Sequence, residues 1–290
     1  MSAEKINAET VALREPDQSG GGPLISVLMG VLNCGNTLDE SLACLEAQTE
    51  KRWELIVCDD GSSDRTADII RKWQEKLPDK IIFLQNEQNL GLNRTLNRCL
   101  EKACAPFIAR MDGDDGCAPD RFEKQLAFLR RHPEISIVST DMLCFDESGF
   151  WGMHAYPTKP DGADLVHGTP FCHPACMIRR EALMKAGGYS ESDRFLRGQD
   201  YELWVRMYGM GFRGDNIHEP LYYYRDDRNA ADRRKWKYRI VEARIRHMAV
   251  KVMRLPFWYE IYALRPLVFG LLPKGFRSYL HRKKLERAKK

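Results

Sequence analysis

Apolar residues fall along the chain in short blocks, parted by polar, turn-forming stretches. Leu24–Leu32, bounded by Pro23 and Asn33, reads as a buried strand, and so does Trp53–Cys58, which runs into Asp59-Asp60-Gly61-Ser62-Ser63-Asp64. Between them Leu38, Leu42 and Leu45 share one helical face, and Thr37 with Glu40 has the spacing of a capping box. A second helix carries Ile69, Ile70, Trp73 and Leu77 behind a cap at Ser63 or Asp64. Strand Ile81–Leu84, helix Leu92–Ala103 and strand Phe107–Met111 continue the order. Strands alternating with helices over about ninety residues predict an α/β fold, with a mostly parallel central sheet flanked by helices. Such sheets bind ligands at the carboxyl ends of their strands. Asn33, the Asp59–Asp64 loop and the loop after Met111 all fall at such ends.

The loop after Met111 reads Asp112-Gly113-Asp114-Asp115, three carboxylates within four residues. Asp and Gly also suit an ordinary turn. An EF-hand starting at Asp112 fails, because Gly116 and Cys117 occupy the fifth and sixth positions, where an oxygen ligand and a Gly are required. Carboxylates this close repel one another unless a cation sits among them. A hard ion such as Mg²⁺ or Mn²⁺ takes one or two carboxylates and fills its other positions with water and phosphate oxygens. The dinucleotide fingerprint is absent, since the first strand ends in Gly30-Val31-Leu32-Asn33-Cys34-Gly35, and no Gly-Lys-Ser or Gly-Lys-Thr occurs anywhere. A metal at Asp112 and Asp114 is the remaining way to meet the charge of a diphosphate.

Further blocks follow in order: Gln48-Thr49, Asn89-Leu90-Gly91, Arg110-Met111-Asp112, Pro170-Phe171-Cys172-His173-Pro174 and Gly198-Gln199-Asp200-Tyr201-Glu202-Leu203-Trp204. Together with the two strand ends, they make residues 24–225 resemble family 2 glycosyltransferases of the GT-A fold. The similarity is greatest to the non-processive bacterial enzymes of surface polysaccharides. The resemblance implies that Asp59 accepts hydrogen bonds from the uracil of a nucleotide sugar, with Leu32 and Asn33 lining the same pocket and Asp60 holding the loop. It implies that Asp112 faces ribose or donor sugar, and that Asp112 and Asp114 hold Mn²⁺ or Mg²⁺ on the diphosphate. Arg94, Arg110 and Arg225 supplement the positive charge, and His173 approaches the acceptor or diphosphate. Arg94 reads equally as a solvated helix residue, and His173 as a satisfied, partly buried histidine.

Asp200 fits the general base of inverting transfer, a carboxylate that takes the acceptor hydroxyl's proton. As the start of a helix bearing Leu203, Trp204 and Met207, it also suits an N-cap. The family often has Glu where this chain has Gln199. Cys172, His173 and Cys176 lack the spacing and the fourth ligand of a zinc site. The processive enzymes' Gln-x-x-Arg-Trp is replaced by Asp232-Arg233-Arg234-Lys235-Trp236, so a single addition per encounter is expected.

The 290 residues include nine cysteines without framework spacing, and no apolar leader opens the sequence, which fits reduced thiols in a cytoplasm. Residues 1–22 are polar, end in Gly20-Gly21-Gly22 and are expected to be flexible. Tyr222-Tyr223-Tyr224-Arg225 is expected to close a catalytic domain of residues 23–225 and to lead into a flexible cover for the donor. From Arg225 to Lys290 there are 20 Lys and Arg against 6 Asp and Glu, a balance of +14, which leaves −10 for the rest of a chain whose total is +4. Residues 226–290 therefore read as a basic, aromatic, helical extension. Its apolar stretch Leu255–Pro273 contains Glu260, Arg265 and three prolines and so does not span a bilayer. Aromatics interleaved with cations suit an anionic leaflet's headgroup region, while a solvated appendage on the core accounts for them too.

These features lead to the expectation of a glycosyltransferase with a nucleotide-sugar donor, a UDP-sugar foremost, and a saccharide or lipid-linked acceptor, peripheral on the cytoplasmic face of an inner membrane. A nucleotidyltransferase shares the sheet and metal logic but needs a Gly-rich loop with a basic residue after the first strand. A nucleic-acid binder using the basic tail leaves the acidic blocks unexplained, so nucleic acid is not an expected partner.

Overall fold

A computed structural model of the chain describes residues 21–195, 197–226 and 236–272, with Gly275. In chain order the elements are β1 (Ile25–Val31), α1 (Leu38–Glu46), β2 (Trp53–Asp59), α2 (Thr66–Lys76), β3 (Ile81–Gln85), α3 (Leu92–Lys102), β4 (Phe107–Arg110), β5 (Gly116–Cys117), α4 (Arg121–Arg131), β6 (Ile137–Asp146), β7 (Gly149–His154), α5 (Asp164–His167), β8 (Met177–Arg179), α6 (Arg180–Lys185), α7 (Gln199–Gly209), β9 (Gly214–Arg225), α8 (Trp236–Val252) and α9 (Glu260–Leu271).

The strands form one sheet in the order β3-β2-β1-β4-β8-β6-β9-β5, with β7 hydrogen-bonded to β6. β3, β2, β1 and β4 run parallel, β8 opposes both its neighbours, and β9 is parallel to β6. The first two strands lack alternation because both faces of the sheet are covered. Leu28, Ile56 and Ile108 pack on one side with α3, α7 and α8, and Val27, Met29, Val57 and Ala109 pack on the other with α1, α2 and α4. Register sets Val31 beside Asp59 and Asp59 beside Gln85, so β1, β2 and β3 end level and their loops share one edge.

Two local expectations differ from the structure. Thr37 stands at the N-cap of α1 but makes no side-chain cap bond; its hydroxyl donates to the Gly113 carbonyl at 3.1 Å, and Glu40 pairs with Arg225 at 2.7 Å. Tertiary partners from the acidic loop and from the end of β9 have taken the two members of the capping box. The start of α2 is the second: Arg65 stands at its N-cap instead of Ser63 or Asp64, while Asp64 Oδ1 accepts from the Thr66 N–H at 3.0 Å. After β9 ends at Arg225, α8 places Val241, Ile245, Ala249 and Val250 in the core with α7. No helix among the described residues is long and apolar enough to cross a membrane. The expected flexible N-terminal segment up to residue 20, most of the expected donor cover (227–235) and most of the basic tail beyond residue 272 lie outside the described residues.

Candidate active site

Three loops carry the expected site residues, and short polar bonds lace the first, after β2, to the end of β1. Asp60 at the end of β2 is the hub of the first: its Oδ1 accepts from Asn86 Nδ2 at 2.7 Å and Leu90 N–H at 2.8 Å, and its Oδ2 accepts from Gly91 N–H at 2.9 Å. Gly61 makes the close approach possible, with φ +77° and a Cβ position that would come 2.8 Å from the Gln88 carbonyl carbon. Asp59 is fully buried, accepting from Ser62 N–H at 3.0 Å and Gln85 Nε2 at 3.2 Å. Asn33 adopts the left-handed conformation that Asn tolerates, φ 53°, and clamps this loop to β1. Its N–H donates to Ser62 Oγ at 2.8 Å and its Oδ1 accepts from Ser63 N–H at 3.0 Å. Leu32, 40 % exposed, forms an apolar rim beside it.

The acidic loop is held from below and behind. Arg110 on β4 is sealed from solvent and ion-pairs with Asp112 Oδ1; its guanidinium also donates to the Leu28 carbonyl at 3.3 Å and the Met111 carbonyl at 2.5 Å. Burial works against the charge on Arg110, but Asp112, Tyr189 and Tyr222 together outweigh it and hold the guanidinium firmly protonated. Asp115 points inward, accepting from Tyr222 Oη at 2.8 Å and Arg225 N–H at 2.8 Å. Burial pushes its carboxyl well up, with Asp112 and Asp114 adding repulsion. Asp114 is different: desolvation by the surrounding loops and repulsion from Asp112 raise its carboxyl, while the residue itself stays exposed at the surface. Arg225 spans the loop, its Nε donating to the Asp114 carbonyl at 2.8 Å and its Nη2 pairing with Glu40.

The third loop brings Asp200. It is the second residue of α7, and Gly198 rather than Asp200 occupies the N-cap, which removes the cap explanation. A Cβ at Gly198 would sit 2.7 Å from Ile245 Cδ1, so the helix start is pressed onto α8. Tyr189 links this loop to the acidic one. Its hydroxyl, pushed up chiefly by burial, feels the charges of Arg110, Asp200 and Asp112 together. His173 is buried on the same hydroxyl, Nε2 to Oη 2.9 Å, and burial and then Arg110 hold its imidazole well below the ordinary value. On the opposite side, Cys34 is pushed up to about 11 by burial, with Asp114, Asp112 and Asp64 adding to the rise.

Several expected contacts land elsewhere. Arg110 does not reach solvent, so it acts beneath Asp112. Arg94 is half-exposed on α3 and faces Glu191 at 3.5 Å rather than the acidic loop. His173 is a buried partner of Tyr189 with no open face. Among the described residues no group of three or more His, Cys, Asp and Glu could hold a metal by itself. Asp112 and Asp114 nonetheless fit a hard divalent ion: both donors are carboxylate oxygens, Asp114 carries repulsion that a cation would relieve, and such an ion would take its other ligands from water and phosphate. All nine cysteines are free thiols. Tyr189, Tyr222 and Arg121 escaped the sequence reading. Arg121 donates to the Arg110 carbonyl at 2.8 Å and lies 5.0 Å over the Tyr222 ring.

Comparison with known proteins agrees with this geometry. The sequence profile of Glycosyl transferase family 2 matches residues 26–187. The putative glycosyltransferase EpsE of Bacillus subtilis (strain 168) is 40 % identical over 264 residues, which cover 91 % of this chain and 95 % of that protein. A UDP-Gal:alpha-D-GlcNAc-diphosphoundecaprenol beta-1,3-galactosyltransferase of Escherichia coli is 28 % identical over 275 residues, 91 % of this chain and 98 % of its own. The chain belongs to glycosyl transferase family 2 and is a glycosyltransferase. In fold it is similar to S. aureus TarS residues 1–349, solved in complex with UDP, at a TM-score of 0.62 and 18 % identity over 84 % of this chain and 69 % of that one. The GT-A fold expected from the sequence is the fold found.

Proposed function

We propose that the enzyme moves a sugar, with inversion and with a divalent metal, from a UDP-sugar to a lipid-linked saccharide acceptor in surface polysaccharide synthesis, at the cytoplasmic face of the inner membrane. The observation that carries this reading is the acidic loop after β4, where the buried Arg110 holds the Asp112 carboxylate and Arg225 spans Asp114, with the Gly113 carbonyl bound by Thr37 beside the ends of β1 and β2. The Escherichia coli relative, named for a UDP-sugar and a diphosphoundecaprenol-linked GlcNAc, supports the donor and acceptor classes.

In this reading Leu32 and Asn33, on the loop edge that the buried Asp59 holds through Ser62, receive the base, and Arg225 lies against the acidic loop where the diphosphate arrives. Asp112 and Asp114 would hold Mn²⁺ or Mg²⁺, which when bound offsets charge gathering on the departing diphosphate. Arg110 fixes the Asp112 carboxylate, and Arg121 supports Arg110 through its carbonyl. His173 stays neutral and braces Tyr189, which floors the space between donor and acceptor. Asp200 takes the proton of the acceptor hydroxyl as that oxygen attacks the anomeric carbon, and no covalent enzyme intermediate is required. With the proton removed by a single carboxylate, Asp200→Asn is expected to cut turnover about 10²- to 10⁴-fold while UDP binding persists. Unchanged turnover of the best donor by that variant contradicts the assignment.

A further inference from the structure

Beyond the acidic site, the segment after α8 turns an apolar ridge outward. Phe257, Trp258, Ile261, Leu264, Val268 and Leu271 are 81, 59, 70, 55, 62 and 77 % exposed, values ordinary for lysines and not for a row of large apolar residues. Four of them, Ile261, Leu264, Val268 and Leu271, follow the i, i+3, i+7, i+10 spacing of one face of α9. The opposite face is committed. Ala263 and Pro266 are buried, a Cβ at Gly270 would come 2.3 Å from the Trp236 ring, and the Phe269 ring lies 5.6 Å beneath the Arg239 guanidinium. Arg246 also donates to the Tyr262 carbonyl at 3.4 Å, so α9 cannot roll to hide its ridge without breaking from α8.

Charge selects what covers it. Arg265 sits exposed on the same side of α9, and the sequence after it holds eight Lys and Arg with one Glu in residues 274–290. A second copy docking on this face would bring two segments of balance +14 together, whereas an anionic lipid surface attracts both. The helix has 12 residues, about 18 Å at 1.5 Å per residue, roughly half of what a bilayer's hydrocarbon core requires. A ridge of that length with Trp258 at its start suits the plane of the interface.

We propose that the Phe257–Leu271 ridge seats in the headgroup and upper acyl region of an anionic leaflet, fixing the enzyme's orientation there. The inference rests on the membrane setting of the proposed function and gives it a contact surface. Its test is co-sedimentation of the full chain with vesicles of phosphatidylglycerol mixed into phosphatidylcholine, or of phosphatidylcholine alone. Binding is expected to be about 10-fold or more tighter to the anionic vesicles and to weaken with salt. Leu264→Glu/Val268→Glu is expected to lose about 10-fold or more of that binding with its thermal midpoint unchanged, and Phe257→Ser/Trp258→Ser provides a second pair outside α9. Equal binding to both vesicles, wild-type binding by both variant pairs, or a dimer in buffer that these variants dissolve would overturn it. Donor binding measured without vesicles is a separate readout, so loss of the UDP reading leaves this result standing, and the reverse.

Discussion

Arg110 lies wholly beneath the surface with its guanidinium on the Asp112 carboxylate, so the carboxylate proposed to face the donor is anchored by a side chain closed off from solvent. Breaking a buried pair leaves an uncompensated charge, which costs about 3–5 kcal/mol when both partners are buried. Asp112 is 29 % exposed, so Asp112→Asn is expected to lose somewhat less, about 2–3 kcal/mol. Arg110→Met frees Asp112 to move instead, and is expected to weaken Mn²⁺-dependent UDP binding with a smaller loss of stability. Chemical denaturation and calorimetry of the two variants separate the effects. An Asp112→Asn protein as stable as wild type would remove the anchoring role.

The raised carboxyl of Asp114 gives metal binding a pH dependence. A cation must compete with the proton, and here the proton is held more tightly than by an ordinary Asp of 3.8. Thermal stabilisation by Mn²⁺ is expected to grow as pH rises through the raised value, and to flatten in Asp114→Asn. In the metal-free protein the sign is opposite. A carboxyl raised by folding supports the fold below 3.8, and that support is lost as pH rises through the folded value. Mn²⁺ stabilisation that is constant across this range contradicts the assignment.

His173 works the other way on the acid side. Its folded value lies well below the ordinary 6.5, so the unfolded chain binds the proton more readily. Stability is therefore expected to fall as pH drops from 6.5 towards the folded value, by up to about 1.4 kcal/mol per pH unit. His173→Asn, which keeps a partner for the Tyr189 hydroxyl, is expected to flatten that limb of a stability-against-pH curve. An identical acid limb in the variant would assign the loss to other groups.

The parallel half of the fold and the positions of its functional loops were legible in the sequence, because unbroken apolar runs such as Leu24–Leu32 leave little choice but strands covered on both faces. Asp112 and Asp114 stood out because three carboxylates crowd within four residues after a strand end, and Asp200 because it opens a helix within an ordered block. What the sequence hid were the roles set by distant partners. Thr37 and Glu40 have the spacing of a cap, and only the arrival of Gly113 and Arg225 in space diverts them. Arg110 resembles a diphosphate ligand until β8 and α4 bury it. Tyr189 carries no motif, and only the folded chain sets its buried hydroxyl against His173.

The central claim is that Asp112 and Asp114 hold a divalent ion against a UDP-sugar's diphosphate. Isothermal titration of UDP into the full chain, with Mn²⁺ and with chelator, tests it most directly. Binding at least about 10-fold tighter with Mn²⁺, and loss of that gain in Asp114→Asn, is the expected result. Equal UDP affinity with chelator, or an undiminished Mn²⁺ effect in Asp114→Asn, would contradict it.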